Sequence, residues 1–173
     1  MIQVGIITIS DKAWQGKRKD RSGELIKELL EKIESRVVVC EVVPDERKCI
    51  EEKLKKMADE LEVDLILTTG GTGLSPRDVT PEATLAVIQR EVPGLTELIR
   101  SQGRKSTPYA VLSRARAGIR DRTLIINLPG SPRGVKESLE AILDVIPHGI
   151  EILRGEKGEC AQNSCQKESR PIF

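Results

Sequence analysis

At 173 residues the chain has the length of one ordinary domain, enough to bury a single sizeable core. Lys and Arg total 28 against 27 for Asp and Glu, a formal charge of +1, so no global field draws it to nucleic acid or to an anionic membrane. Aromatic residues make up 2% of the chain, only Trp14, Tyr109 and Phe173, too few for the base-stacking platforms of single-strand binders.

The opening Ile2-Gln3-Val4-Gly5-Ile6-Ile7-Thr8-Ile9 is apolar but too short to span a bilayer and carries no basic leader. It predicts a first strand over 2–9 and a cytoplasmic protein. Leu25, Ile26, Leu29, Leu30 and Ile33 have helical spacing over 22–33, and residues 36–43 predict a second strand. Pro44-Asp45 opens a helix carried by Ile50, Leu54 and Met57 to Leu61, and 63–69 is a third strand. Three helices follow, over 80–89, 93–102 and 108–117. A strand returns at 122–128, then a long helix at 135–146, and Ile150–Leu153 closes as short helix or strand. The alternation implies an α/β fold, a three-layer α/β/α sandwich with a mostly parallel sheet. One domain is expected over 1–155, followed by a polar tail over 156–173. Cys40 and Cys49 fall in a strand and a helix, and Cys160 and Cys165 in the tail lack the His or second pair that a zinc site needs.

In a parallel sheet the strand ends at Ser10, Val43, Thr69 and Leu128 share one edge, where open α/β sheets bind ligands. The third of these ends runs into Gly70-Gly71-Thr72-Gly73-Leu74-Ser75-Pro76-Arg77-Asp78. Its glycines let the backbone approach a ligand, and successive N–H groups can converge on an anion. The run is neither a Walker loop, since no Gly-Lys-Ser/Thr follows, nor the dinucleotide fingerprint. Thr80 reads as a helix cap and Pro81 as first-turn proline, leaving Asp78 at the loop mouth, equally a turn residue or a reacting group. The fourth loop, Pro129-Gly130-Ser131-Pro132-Arg133-Gly134, enters a helix and can offer N–H donors to phosphate. The first holds Ser10, Asp11, Asp20 and Ser22, and the second holds Asp45. Phosphate-friendly loops beside carboxylates suit a nucleotide with Mg²⁺.

Plainer readings stand beside these. Asp45 serves as an N-cap, Asp11 and Asp20 as turn residues, Ser22 as a cap and Arg133 as a solvated charge. Trp14 packs on its own protein or a partner subunit, and His148, without a nucleophile motif nearby, is structural.

Five motifs in order, Val4 to Asp11, Asp20-Arg21-Ser22-Gly23, Val43-Pro44-Asp45-Glu46, Thr68 to Gly73 with Asp78 to Ala83, and Asn127 to Pro132, resemble the MogA/MoaB family of molybdenum-cofactor biosynthesis proteins, a domain also found in fusion proteins such as gephyrin. The resemblance spans roughly residues 2–153. It implies adenylyl transfer from Mg²⁺-ATP to the terminal phosphate of molybdopterin, with pyrophosphate released. Asp45 and Asp78 match the family's paired aspartates, which would hold Mg²⁺ or orient phosphates. Ser10, Asp11, Asp20, Ser22, Ser75 and Glu82 match polar positions lining its site. Gly70, Gly71, Thr72, Gly73, Pro129, Gly130 and Ser131 match its loops for the pterin phosphate and nucleotide. A homo-oligomer is implied, a trimer ahead of a hexamer, and so is the molybdate-inserting enzyme of the pathway as a partner. A noncatalytic molybdopterin-binding or scaffold protein of the same fold is the alternative, and a nucleotide-dependent enzyme with another anionic acceptor is a third reading.

Overall fold

A computed structural model describes residues 1–155. Strands β1 (Ile2–Ile9), β2 (Ser35–Val43), β3 (Leu65–Thr69), β4 (Arg90–Glu91), β5 (Ala117–Arg120) and β6 (Thr123–Leu128) form one sheet in the order β2-β1-β3-β6-β5-β4. The first four run parallel, while β5 and β4 add an antiparallel margin. Alternate residues of the central strands feed two cores. Ile6, Leu65, Leu67 and Ile126 face α2 (Arg21–Leu30), α5 (Pro93–Ser106), α6 (Pro132–Ile142) and α7 (Ile146–Arg154). On the other face Ile7, Ile66 and Ile125 meet α3 (Arg47–Lys55) and α4 (Thr80–Val87). Burial on both faces is why these strands read as continuous apolar runs. The class is the expected α/β sandwich. Before α2 lies the four-residue α1 (Asp11–Trp14), and α3 runs on through a π-helical turn at Lys56–Glu60. No described helix is long and apolar enough to cross a membrane.

The structure corrects two helices. Residues 108–117 are not one helix: a 3₁₀ turn spans Pro108–Leu112, the chain then extends, and β5 begins at Ala117. Ser113 is already extended, and the Arg114 N–H donates to the Thr72 carbonyl at 2.9 Å, so tertiary pairing overrides the helical spacing. The helix expected over 135–146 is two. Ser131 caps α6 from Pro132, and Pro147, with no N–H to donate, restarts the chain as α7, which takes in Ile150–Leu153. The tail with Cys160 and Cys165 lies outside the described residues.

At the centre of the sheet the fully buried Asn127 of β6 is hydrogen-bonded on every side. Its amide nitrogen donates to Thr68 Oγ1 and Thr84 Oγ1, each at 2.9 Å, and its Oδ1 accepts the Arg116 N–H at 3.1 Å. A polar side chain there is tolerated because nothing on it is left unpaired.

Candidate functional site

The carboxyl ends of β1, β2, β3 and β6 bring four loops together, and side-chain to backbone bonds lock them. Ser10 caps α1. Its neighbour Asp11 donates its N–H to Asp45 Oδ2 at 2.9 Å, while the Asp45 N–H donates to Asp11 Oδ1 at 3.0 Å, a reciprocal clasp between the β1 and β2 loops. The N-cap position of α3 is Glu46, so Asp45 is not the helix cap.

The two clasped carboxylates differ in charge balance. The Asp45 N–H and then the Arg77 guanidinium, which grips both Asp11 oxygens at 2.8–3.2 Å, hold the Asp11 carboxyl below the usual carboxylate range. Burial pushes the Asp45 carboxyl above its usual range, and the negative charges of Asp11 and Asp78 push the same way, against the Asp11 N–H and the more distant charge of Arg77. Asp78 folds back on its own loop, its Oδ2 accepting the Ser75 N–H at 2.9 Å. No hydrogen bond or ion pair joins the Asp45 or Asp78 carboxylate to a cationic side chain among the described residues.

Two glycines shape the third loop. Gly70 has φ +105°, and a Cβ there would lie 2.2 Å from the Ile9 carbonyl oxygen. Gly71 has φ +63°, and its Cβ would lie 2.3 Å from Thr80 Oγ1. Both are closed to other residues by conformation and by space. Thr80 does not cap α4, whose N-cap is Val79; its hydroxyl instead donates to the Gly70 carbonyl at 2.9 Å. Across the cleft the Thr69 hydroxyl donates to the Pro129 carbonyl at 2.6 Å. Ser22 donates to the Gly130 carbonyl at 2.9 Å, and the cap of α2 is Asp20, which accepts from Gly23 N and Thr8 Oγ1. The helix-cap reading therefore belongs to Asp20, not Ser22. Ser131 caps α6 through the Gly134 N–H.

A cleft of 310 Å³ opens between these loops and takes in Ser10, Asp20, Ser22, Asp45, Gly70 and Gly71, with Gly130 and Ser131 on its far side. Arg18 and Lys19, absent from the sequence reading, and Arg21, named there only within the Asp20-Arg21-Ser22-Gly23 motif, add positive charge to its wall. On the other side of the glycine loop a second cleft of 460 Å³ is lined by Thr72, Gly73 and Pro129 and by the more apolar Leu74, Tyr109 and Leu112. Ser131 belongs to both. Glycine loop and Ser131 are thus a shared wall, with anion-compatible backbone on one side and ring-compatible surface on the other.

Asp11, Ser75, Asp78 and Glu82 line neither cleft. Glu82 pairs with Arg114, another residue the sequence reading missed, beside a separate pocket of 260 Å³. Arg133 pairs with Glu137 one helical turn on, as its solvated reading anticipated, and Trp14 is 59% exposed.

Residues 5–148 match the family described as "Probable molybdopterin binding domain". The chain is 43% identical over 167 residues to the molybdopterin adenylyltransferase of Helicobacter pylori strain 26695, covering 95% of each chain. It is 42% identical to that of Escherichia coli K12, covering 86% of this chain and 80% of the relative. Among solved structures, the molybdopterin biosynthesis enzyme MoaB of Thermus thermophilus superposes with a TM-score of 0.86 at 53% identity, over 90% of this chain and 98% of that one.

Proposed function

We infer that the chain, which belongs to the molybdopterin-binding domain family of molybdenum cofactor biosynthesis, is a molybdopterin adenylyltransferase. ATP is the adenylyl donor in this proposal. An oxygen of the pterin's terminal phosphate forms a bond to the α-phosphorus, the bond from that phosphorus to the bridging α–β oxygen breaks, and pyrophosphate leaves with the electron pair. The attacking phosphate is already anionic at neutral pH, so alignment and charge compensation are what the protein must provide.

The shared wall carries this reading. Two reactants seated in adjoining clefts meet where Gly71 and Ser131 can present N–H and hydroxyl donors to phosphate oxygens. Arg18, Lys19 and Arg21 attract the polyphosphate into the first cleft, and Tyr109, Leu74 and Leu112 offer the second cleft's apolar surface to a ring. Asp20, Ser22 and Pro129 serve by holding the loops in place.

The carboxylates fit Mg²⁺. Burial and the neighbouring negative charges of Asp11 and Asp78 raise the proton affinity of Asp45, the mark of a carboxylate short of a cation, and Asp11 is already matched by Arg77. Among the described residues no group of three or more His, Cys, Asp or Glu forms a cage, which agrees with an ion held by one or two carboxylates and the substrate's own phosphates. Asp45 and Asp78 would hold it, and when bound it supplies charge compensation at the phosphates.

Exposed Tyr109, Val111 and Leu112 support a homo-oligomer, for which a trimer is proposed. A cytoplasmic location and contact with the molybdate-inserting enzyme complete the proposal. The deciding experiment is pyrophosphate release from Mg²⁺-ATP with and without molybdopterin. Release that requires molybdopterin and vanishes in Asp45→Asn and Asp78→Asn is the expected result. Molybdopterin binding without release would leave a noncatalytic binding protein.

A further inference from the structure

We propose that Arg114 is a positioning residue for the adenylyl transfer, holding the glycine loop so that Asp78 faces the reacting phosphates; the proposal rests on that transfer being the reaction of this site. Between β3 and α4 the chain from Gly71 to Val79 has no helix or strand to hold it. Within the loop, Ser75 and Asp78 bond each other: the Asp78 N–H donates to the Ser75 carbonyl at 2.8 Å, and the Ser75 N–H to the Asp78 carboxylate. That closes the turn but does not orient it.

Arg77 ties the tip of the loop to Asp11 across the cleft, and the loop's two ends are oriented by one residue far along the chain. The backbone N–H of Arg114 donates to the Thr72 carbonyl at 2.9 Å, its Nε to the Gly73 carbonyl at 2.7 Å, and one terminal nitrogen to the Asp78 carbonyl. The other terminal nitrogen pairs with Glu82 in the first turn of α4. Start of the loop, end of the loop and the following helix are therefore joined through a single planar group. Its planar fork spreads donors over three separate nitrogens, a span that the single nitrogen of a lysine ammonium cannot cover. Arg114 lines neither cleft, so it acts on the reaction only through the loop.

The test uses the full chain with Mg²⁺-ATP and molybdopterin and compares wild type, Arg114→Lys, Asp78→Asn and the double variant. The expected result for Arg114→Lys is a kcat lower by about 10²-fold, with the KM for each substrate within about threefold of wild type. The double variant is expected to be no slower than Asp78→Asn alone, because the two changes remove one function. Hydrogen exchange of the peptide spanning residues 72–78 should quicken by about tenfold in Arg114→Lys while the sheet amides hold. Additive losses in the double variant, KM rising in step with the fall in kcat, or unchanged exchange at residues 72–78 would each overturn the proposal. A wild type that releases no pyrophosphate would sink the adenylyl-transfer reading by itself, and with it the positioning role, whereas an active wild type with an unaffected Arg114→Lys sinks only the latter.

Discussion

The two ends of the parallel strands handle acidic residues in opposite ways. At the amino end Asp64 accepts two bonds from Arg154, at 2.8 and 2.9 Å, and the Gln3 N–H at 2.7 Å, while Asp59 is gripped by Arg120 through two bonds of 2.7 Å. At the carboxyl end Asp11 has Arg77, but the carboxylates of Asp45 and Asp78 receive only backbone N–H groups among the described residues. A carboxylate matched by a guanidinium is finished business; one left among its own kind keeps affinity for something that arrives with the ligand. Electrostatic mismatch separates the reactive edge from the structural one even though both are rich in Asp and Glu.

The sharpest way to test that contrast is to remove the unmatched charges. Asp78→Asn and Asp45→Asn should each lower turnover by about 10³-fold in the pyrophosphate assay with the fold intact by circular dichroism. Next in size is the loop backbone. Gly70→Ala places a side chain at φ +105° against the Ile9 carbonyl and should cost about 3 kcal/mol of stability in urea unfolding, with turnover lost as well.

At the matched edge the effects should invert. Asp64→Asn should cost about 1–2 kcal/mol and leave kcat unchanged. Burial pushes the Asp64 carboxyl up, but Arg154 and the Gln3 N–H outweigh it and hold it below its usual value. Its contribution is therefore present above the unfolded-state pKa and lost as pH falls through the lower folded value. Melting curves below about pH 4 should converge for wild type and Asp64→Asn.

The smallest effect has the opposite sign. The Asp45 carboxyl is raised, so the folded state holds that proton more tightly, and its contribution fades as pH climbs through the raised value. Above that value the ionised Asp45 is a cost. Asp45→Asn should melt about 2 °C higher than wild type while being inactive, and equal or lower melting would erase the proposed mismatch.

Three strands, β1, β3 and β6, were legible because each is apolar on both faces, the edge strand β2 was legible from its run of Val, and all four end in polar or glycine-rich chain. Ala117-Gly118-Ile119-Arg120 was not, since four residues with two small ones carry no period and their pairing to β6 is a tertiary fact. The same distance hid Arg114, whose loop partners lie 36 and 41 residues away. Caps were misjudged for a different reason. Asp20 and Ser22 are near neighbours of equal local aptitude, and Asp45 is by type a better cap than Glu46, which makes no side-chain cap bond; only the reach of Ser22 to Gly130 and of Asp45 to Asp11 decides. The paired aspartates, the two loops and the family itself came from ordered motifs rather than from periodicity.

Asn127 bears on how the chain finds this arrangement in the first place. Were β6 to dock one residue out of step with β3, its amide would turn from Thr68 and Thr84 toward the face that holds Val135 and Leu139, where it would forfeit about 1–3 kcal/mol for each group left bare. An all-aliphatic strand would tolerate that error far more readily. The asparagine thus proofreads the assembly of the sheet, and by rejecting a misaligned β6 it guarantees that Pro129, Gly130 and Ser131 emerge opposite the glycine loop.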